Sequence, residues 1–215
     1  HSYEQLLGET QRGSQVAAKL KRHSYSMSLF VIYFGLKGEP DDLKHHMVLF
    51  GNRYRELISE IFSGPDLPED FSLYLHCPTV SDDSLAPKGH SAYYVLSPVP
   101  HLGNANIDWD KMGPVYRDRI LAYLENQCIP DLNARLVTSS FFTPKNFKTE
   151  LNSHLGSAFS VEPRLTQSAW FRPHNRDAKF KNLYFVGAGT HPGAGIPGVV
   201  GSAKATASLM LQDRE

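Results

Sequence analysis

Apolar residues along the chain fall into short runs that predict β-strands separated by turns. The strongest run covers residues 27–36 and is apolar at most positions, as in a buried strand. Residues 71–77 instead alternate apolar and polar side chains, which is the period of a strand with one buried face. Three further strands are predicted, at residues 46–50, 92–97 and 134–142. Several strands are rich in Phe and Tyr, as expected where a sheet face meets a large apolar ligand, although a plain hydrophobic core explains the same composition.

Apolar residues spaced three and four apart predict helices between these strands. The clearest helix covers residues 114–127, with Pro114 suited to its first turn. Its predicted apolar stripe consists of Val115, Ile120, Leu121 and Leu124. Residues 3–21 predict one or two helices, broken at Gly8 and Gly13. Further helices are predicted at residues 54–62, 145–151 and 197–211, and an irregular stretch at residues 152–176.

Composition excludes some classes of function. Of 215 residues, 41% are hydrophobic and 20% charged, and 22 basic residues balance 22 acidic ones. A zero net charge argues against nucleic acid as the main partner. Cys77 and Cys128 lie far apart and predict two reduced thiols in a cytosolic protein. No apolar run is long enough to span a membrane, and no signal peptide is visible after His1.

One region near the C-terminus predicts a binding site. A short strand at residues 183–186 leads into a Gly- and Pro-dense loop at residues 187–198, which opens a helix at Pro197. Glycines let a ligand approach the backbone, and the free N–H groups of a helix N-terminus favour negative charge by about 0.3–1 kcal/mol. The loop lacks the ending of a P-loop, and the sequence ends too soon after it for the βαβ unit, with an acidic residue about 20 positions on, that a dinucleotide fingerprint needs. A turn without a ligand remains the alternative.

Residues 185–198, with the sequence FVGAGTHPGAGIPG, resemble the C-terminal signature of the bacterial-type phytoene desaturases, a family of FAD-dependent carotenoid desaturases. The resemblance extends upstream and covers essentially the whole chain. It includes residues 53–58 (RYRELI), 71–76 (FSLYLH), 93–103 (YYVLSPVPHLG) and 165–173 (LTQSAWFRP).

The resemblance implies an α/β flavoprotein fold of the glutathione-reductase/amine-oxidase type, with α+β character in its substrate-binding part. Residues 1–180 would supply part of the substrate-binding domain, with a mixed sheet roofing an apolar tunnel. Residues 181–215 would supply the closing strand, loop and helix of the FAD-binding domain. Family members are about twice as long and begin with a Gly-rich turn that holds the ADP part of FAD. The chain therefore resembles only the C-terminal part of such an enzyme.

The implied reaction is desaturation of phytoene toward lycopene, with hydride transfer to the flavin of FAD. The helix N-terminus would stabilise the negative charge of the reduced ring. The residues expected to contact FAD are Gly187, Ala188, Gly189, Thr190, His191, Pro192, Gly193, Gly195, Ile196, Pro197, Gly198, Val199 and Val200.

His191 is the candidate acid or base, since it lies in the loop and has a suitable unperturbed pKa. A purely backbone-fixing role for this histidine is the alternative. Trp170, Phe171 and Arg172 are candidate substrate-binding residues. Core packing explains the two aromatic residues equally well, and a flavin-edge contact or ion pair is an alternative for Arg172. Because neighbours in a strand point in opposite directions, His45 and His46 are not expected to form a metal site.

Phytoene is nearly insoluble in water, so the resemblance implies a peripheral enzyme on the cytoplasmic face of the cell membrane. Quinone or oxygen would accept the electrons. Three alternatives remain open: a C30 desaturase, another flavoprotein of the class such as a carotenoid isomerase, ketolase or amine oxidase, and an inactive fragment without the N-terminal FAD-binding half.

Overall fold

The computed structural model describes residues 1–39 and 42–213, which divide into two compact units. One unit, the sheet unit, consists of residues 27–156. The other, the loop unit, combines residues 1–26 with the chain from Ser157 onward. The predicted division between residues 180 and 181 does not coincide with these units, because the N-terminal helix is bonded to Asp177 and Arg172 is bonded to the Gly-rich loop. The assignment of the two segments to substrate-binding and FAD-binding domains stays a prediction.

The sheet unit is built on a five-stranded sheet in the order β2-β3-β4-β1-β5. The strands are β1 (Ser28–Lys37), β2 (His46–Leu49), β3 (Leu73–His76), β4 (His90–Val99) and β5 (Leu136–Phe142). Every neighbouring pair is antiparallel, so the prediction of a mixed sheet was wrong. The burial pattern gives the physical reason. β4 alternates buried and half-buried residues along its length, as in an antiparallel sheet with one covered face, whereas parallel strands are normally covered on both faces.

Helix α4 (Trp109–Gln127) covers the buried face of the sheet. Phe30 in β1 stacks on Trp109 and meets the edge of Tyr116, with ring centroids 5.7 and 5.0 Å apart. The Tyr116 hydroxyl is fully buried and shares a 2.8 Å hydrogen bond with the Ser97 hydroxyl of β4. Burial therefore raises the pKa of Tyr116 to about 12. The core thus joins the helix to the two central strands by aromatic packing and one satisfied polar pair.

Helix α4 begins earlier than the sequence pattern predicts. Asp108 caps it by accepting a hydrogen bond from the Lys111 amide, so Pro114 lies in the helix interior. Proline has no N–H to donate, and its position therefore removes one intrahelical bond without ending the helix. The predicted stripe was partly wrong, because Val115 is 53% exposed. The buried stripe consists of Trp109, Gly113, Tyr116, Ile120, Leu121 and Leu124.

Two further helices of the sheet unit agree with their predictions, α3 (Tyr54–Ser63) and α6 (Pro144–Thr149). A single helical turn, α5 (Leu132–Arg135), replaces the beginning of the strand that was predicted at residues 134–142. Cys77 and Cys128 form no disulfide bond in the described chain. None of the helices in the described part of the chain is long and apolar enough to cross a membrane.

The loop unit contains α1 (Ser2–Leu7), α2 (Gln11–Leu20) and α7 (Ile196–Gln212). The sequence predicted a break at Gly13, but this residue lies in the first turn of α2. A Cβ at this position would come within 1.9 Å of the Leu7 carbonyl oxygen, so glycine lets the two helices approach. The Thr10 hydroxyl caps α2 by accepting a 2.9 Å hydrogen bond from the Gly13 amide. Residues 152–176 are irregular apart from short 3-10 turns, as predicted.

Residues 183–186 do not form the predicted strand. Within the described chain this segment makes one isolated antiparallel bridge, between Tyr184 and Arg176. A strand needs backbone partners along its whole length. Here Phe185 donates to the Asn175 carbonyl and Leu183 accepts from the Asp177 amide, which is enough for a bridge alone.

A buried carboxylate ties the N-terminal helices to the C-terminal segment. Asp177 accepts a 2.6 Å hydrogen bond from the Tyr3 hydroxyl and bonds from Arg12 at 3.1 and 3.3 Å. Its other oxygen accepts from the amides of Lys179 and Phe180. Burial alone would raise the pKa of Asp177, but these hydrogen bonds outweigh it and hold the pKa well below its usual range. Burial and the bond to Asp177 raise the pKa of Tyr3 in turn.

We expect Asp177→Asn to lower the free energy of unfolding by about 2–3 kcal/mol at neutral pH, because an amide nitrogen cannot accept the bonds of Tyr3 and Arg12. A carboxyl with a depressed folded pKa stabilises the fold above its unfolded pKa of about 3.9. That contribution is lost as pH falls through the folded pKa. Urea unfolding of both proteins should therefore show a constant difference from about pH 5 to 7 and a narrowing one below about pH 4.

Asp118→Asn provides the matched control, since the Asp118 side chain is 65% exposed and pairs only with Arg117 among the described ion pairs. The Asp118→Asn substitution should change the free energy of unfolding by no more than about 0.5 kcal/mol over the same pH range. An Asp177→Asn protein as stable as the control at pH 7 would show that the buried carboxylate does not hold this unit together.

Candidate functional site

The Gly-rich loop ends in a helix N-terminus without a side-chain cap. Gly195 is the N-cap residue of α7 and has φ 85°, a left-handed backbone conformation that side chains other than glycine rarely adopt. Pro197 lies in the first turn, where its missing N–H removes one donor that has no intrahelical partner. The remaining first-turn amides and the positive end of the helix dipole therefore face out of the loop.

The loop folds back tightly on the start of this helix. A Cβ at Gly198 would come within 2.6 Å of the Gly193 carbonyl oxygen, so the close approach requires glycine at residue 198. At Gly201, one turn later, an added Cβ would meet Pro192 at 3.4 Å, an ordinary contact. The requirement for glycine is thus local to the helix N-terminus.

A buried polar cluster fixes the other end of the loop to α7. The Ser202 hydroxyl accepts from the Asn175 side chain at 2.9 Å and from the Gly187 amide at 3.1 Å. It also bonds the Thr190 hydroxyl at 2.8 Å, which in turn donates to the Gly187 carbonyl. Because the side chains of this cluster satisfy one another, the loop has a single backbone path at its entry. Asn175 and Ser202 were not predicted as site residues.

Arg172 supports the middle of the loop through hydrogen bonds to backbone carbonyls. Its side chain is buried, and its guanidinium donates to the Ala188 carbonyl at 2.6 Å and to the Val161 carbonyl at 2.8 Å. Burial lowers the pKa of Arg172, although an arginine remains charged at neutral pH. These contacts give Arg172 a positioning role within the loop unit. Its predicted contact with substrate stays a prediction.

His191 is held by its own hydrogen bonds. Its Nδ1 donates to the Ala169 carbonyl at 2.9 Å, and its amide donates to the Pro173 carbonyl at 3.0 Å. In the neutral ring this tautomer leaves the lone pair on Nε2. The contact supports the backbone-fixing alternative and is compatible with a proton acceptor at Nε2.

Trp170 and Phe171 lie on the surface of the loop unit. They are 68% and 65% exposed, so core packing within this unit was the wrong alternative for them. The Trp170 ring meets the edges of His174 and His191, with centroids 5.0 and 6.3 Å apart. A cleft of about 1120 Å³ lies beside these three rings and extends along α7 to Asp213.

Apolar side chains surround the start of α7 without being buried. Ile196 is 83% exposed, and Val186, Val199 and Val200 are exposed as well. Exposed apolar residues beside an uncapped helix N-terminus form a surface suited to a planar ring that carries negative charge at one edge.

The structure brings together the predicted cofactor-binding residues from Gly187 to Val200, since they form one continuous loop and helix start. Trp170 and Arg172 lie against this loop, at His191 and Ala188 respectively. Phe171 instead borders a smaller cleft, shared with Tyr3 and α2. The signal that could have revealed the missed cluster is the pair Ser202 and Thr206, two hydroxyl residues four apart and therefore on one face of α7.

Comparison with known proteins accounts for this arrangement. Residues 8–211 match the family model of the flavin containing amine oxidoreductases. The chain is 63% identical over 213 residues to the phytoene desaturase (lycopene-forming) of Paracoccus sp. (strain N81106 / MBIC 01143), a match that covers 99% of this chain and 42% of the relative. The protein of the same name from Pantoea ananas is 62% identical, with 99% and 43% covered. A phytoene desaturase (neurosporene-forming) of Rhodobacter capsulatus is 44% identical, with 98% and 41% covered.

The chain therefore spans less than half the length of the curated relatives it matches. The resemblance found in its sequence is confirmed, and the family implies a flavin cofactor. The match takes in the Gly-rich loop and nearly all of α7. The chain belongs to the flavin-containing amine oxidoreductase family.

Proposed function

We propose that this chain forms the C-terminal part of an FAD-dependent desaturase that converts phytoene to lycopene. The observation that carries the proposal is the uncapped N-terminus of α7, held against the loop by Gly198 and ringed by exposed apolar side chains. The 63% identity to a lycopene-forming desaturase supports the choice of reaction. The finer fold of the glutathione-reductase/amine-oxidase type belongs to the same proposal.

The residues of the loop fit the isoalloxazine part of FAD. The amides at the start of α7 can donate to an anionic ring edge, and no side-chain cap competes for them in the described structure. Bound FAD would supply the acceptor for the hydride that leaves the carotene. Gly187 to Val200 would bind and orient the ring, while Arg172 and the Asn175–Ser202 cluster would hold the loop in place.

The open face of the sheet unit offers a surface for the hydrocarbon. Tyr33, Tyr74 and Tyr94 lie on neighbouring strands, with ring centroids 5.7 and 6.1 Å apart. A row of rings gives a long polyene continuous apolar contact. We assign this face to carotene binding, and Trp170 and Phe171 are separate candidates for substrate contact within the loop unit. The proposal extends to a peripheral enzyme on the cytoplasmic face of the membrane, because its substrate dissolves in lipid, and to quinone or oxygen as electron acceptor.

The first test is a chimera in which this chain replaces the matching C-terminal segment of the Paracoccus relative. We expect a flavin-containing protein that converts phytoene in liposomes to a product with the longer conjugated system of lycopene. The parent relative is the positive control. A folded, flavin-containing chimera that returns phytoene unchanged would contradict the reaction. An isomerised or oxygenated product would favour the isomerase or ketolase alternative.

The second test addresses the helix N-terminus. In the chimera, Gly198→Ala should weaken flavin binding about tenfold or more, equivalent to about 1.4 kcal/mol, because the new Cβ pushes α7 away from the loop. Gly201→Ala is the matched control in the same helix, where an added Cβ fits. The measured quantity is flavin retained per protein during dialysis. Equal retention in the two variants would argue against a flavin at this helix end.

The third test separates two roles of His191. The side-chain amide of Asn can replace Nδ1 as donor to Ala169, whereas that of Gln reaches toward the Nε2 position. We assign His191 a positioning role, so His191→Asn in the chimera should keep kcat within about threefold and His191→Gln should lower it. Loss of a general base would instead lower kcat by about 100-fold or more in both variants. That result, with flavin retained, would make His191 the catalytic base.

A further inference from the structure

Three histidines converge at one edge of the sheet unit. His46 opens β2 and His76 ends β3, and these two residues are paired across the two strands. His45 precedes β2 directly, and its ring lies 4.3 Å from that of His46 and 4.7 Å from that of His76. One ring nitrogen from each histidine lies within 4.8 Å of the other two. This juxtaposition is a candidate ligand set.

The sequence argument against a metal at this place rested on strand geometry. It assumed that His45 and His46 both lie in a strand and point in opposite directions. His45 lies before the first paired residue of β2, so the alternation does not apply to it. Its ring turns toward the same face as His46 and His76.

Hydrogen bonds orient two of the rings in the manner of metal ligands. His45 Nδ1 bonds the Ser81 hydroxyl at 2.6 Å, and His46 Nδ1 bonds the Tyr74 hydroxyl at 2.6 Å. A metal-bound histidine normally holds a partner with its other nitrogen in this way. Nε2 of His45 and Nε2 of His76 face each other at 2.8 Å.

His76 has one ring nitrogen that no protein group satisfies in the described chain. Its Nδ1 is buried and has no hydrogen-bond partner among the described residues, a condition that a bound ion or water molecule at this cluster would explain.

We propose that His45, His46 and His76 bind a divalent transition-metal ion, with Zn²⁺ as the expected occupant. Imidazole ligands suit zinc, copper and nickel, whereas the set contains no carboxylate of the kind that Mg²⁺ and Ca²⁺ prefer. Tetrahedral zinc with bonds of about 2.0–2.1 Å needs ligand nitrogens about 3.3 Å apart. The 2.8 Å pair must open slightly, and the exposed His46 ring must rotate inward. A water molecule would complete the coordination.

This site lies outside the flavin loop and does not depend on the proposed function. An ion there would join the chain before β2 to the end of β3, which are otherwise linked by the backbone bond from the Cys77 amide to the His45 carbonyl and by the facing imidazoles.

The test measures Zn²⁺ affinity in the purified, untagged protein after treatment with chelator, by competition with a chromophoric zinc indicator. We expect one Zn²⁺ per chain and no competition by Mg²⁺ or Ca²⁺. Affinity should fall at least about tenfold in His46→Ala, which removes a ligand at an exposed position, and about tenfold in Tyr74→Phe, which removes an orienting partner. His90→Ala removes another histidine of the same sheet, bonded to the Lys88 carbonyl, and should leave affinity within about twofold.

Near-ultraviolet circular dichroism of each variant confirms that it is folded. Co²⁺ gives an independent measurement, because its ligand-field absorption should be that of a tetrahedral site in the wild type and should be lost in His46→Ala. Two outcomes would overturn the proposal. The first is the absence of stoichiometric Zn²⁺ binding by the wild type. The second is an equal loss of affinity in His46→Ala and His90→Ala, which would indicate binding by scattered surface histidines.

Discussion

The loop unit depends on one hydroxyl group. Ser202 lies inside α7 and is fully buried, yet it bonds the Asn175 side chain, the Gly187 amide and the Thr190 hydroxyl. Asn175 comes from one segment of the chain, and Gly187 and Thr190 are the two ends of a single turn in another. A buried polar group is costly unless it is satisfied, so the four groups constrain one another to a single arrangement. The path of the Gly-rich loop, and with it the orientation of the helix N-terminus, follows from that arrangement.

Local sequence predicts much of the fold because many elements carry complete local signals. The buried strand β1 and helix α7 agree with their predictions to within about two residues. The start of α4 was missed because Pro114, five positions after the first helical residue, resembles a helix start. The predicted strand at residues 183–186 failed for a different reason. Its apolar pattern is real, but strand formation needs a partner, which sequence does not provide.

The candidate site divides in the same way. Gly187 to Val200 could be predicted because glycine and proline mark turns and loops strongly and because the whole segment is contiguous. Asn175 was not predicted, and Arg172 was predicted for contact with substrate, because the hydrogen bonds through which both hold the loop reach distant parts of the chain and leave no local pattern. The histidine cluster shows where a rule for strands stops applying. A correct rule about strands was applied to His45, one residue before the strand begins.

The loop unit is made from two segments separated by the entire sheet unit, and this division governs how the chain can fold. Joining distant segments across a flexible loop of that length would cost about 4 kcal/mol of chain entropy. The sheet unit removes much of this cost, because its own first and last residues meet, with the Ser28 hydroxyl bonded to the Gly156 carbonyl at 2.5 Å. Just outside them, the Ser26 amide bonds the Ser160 carbonyl. Early folding of the sheet unit would therefore bring the two segments of the loop unit close together, and less chain entropy would be lost when they join.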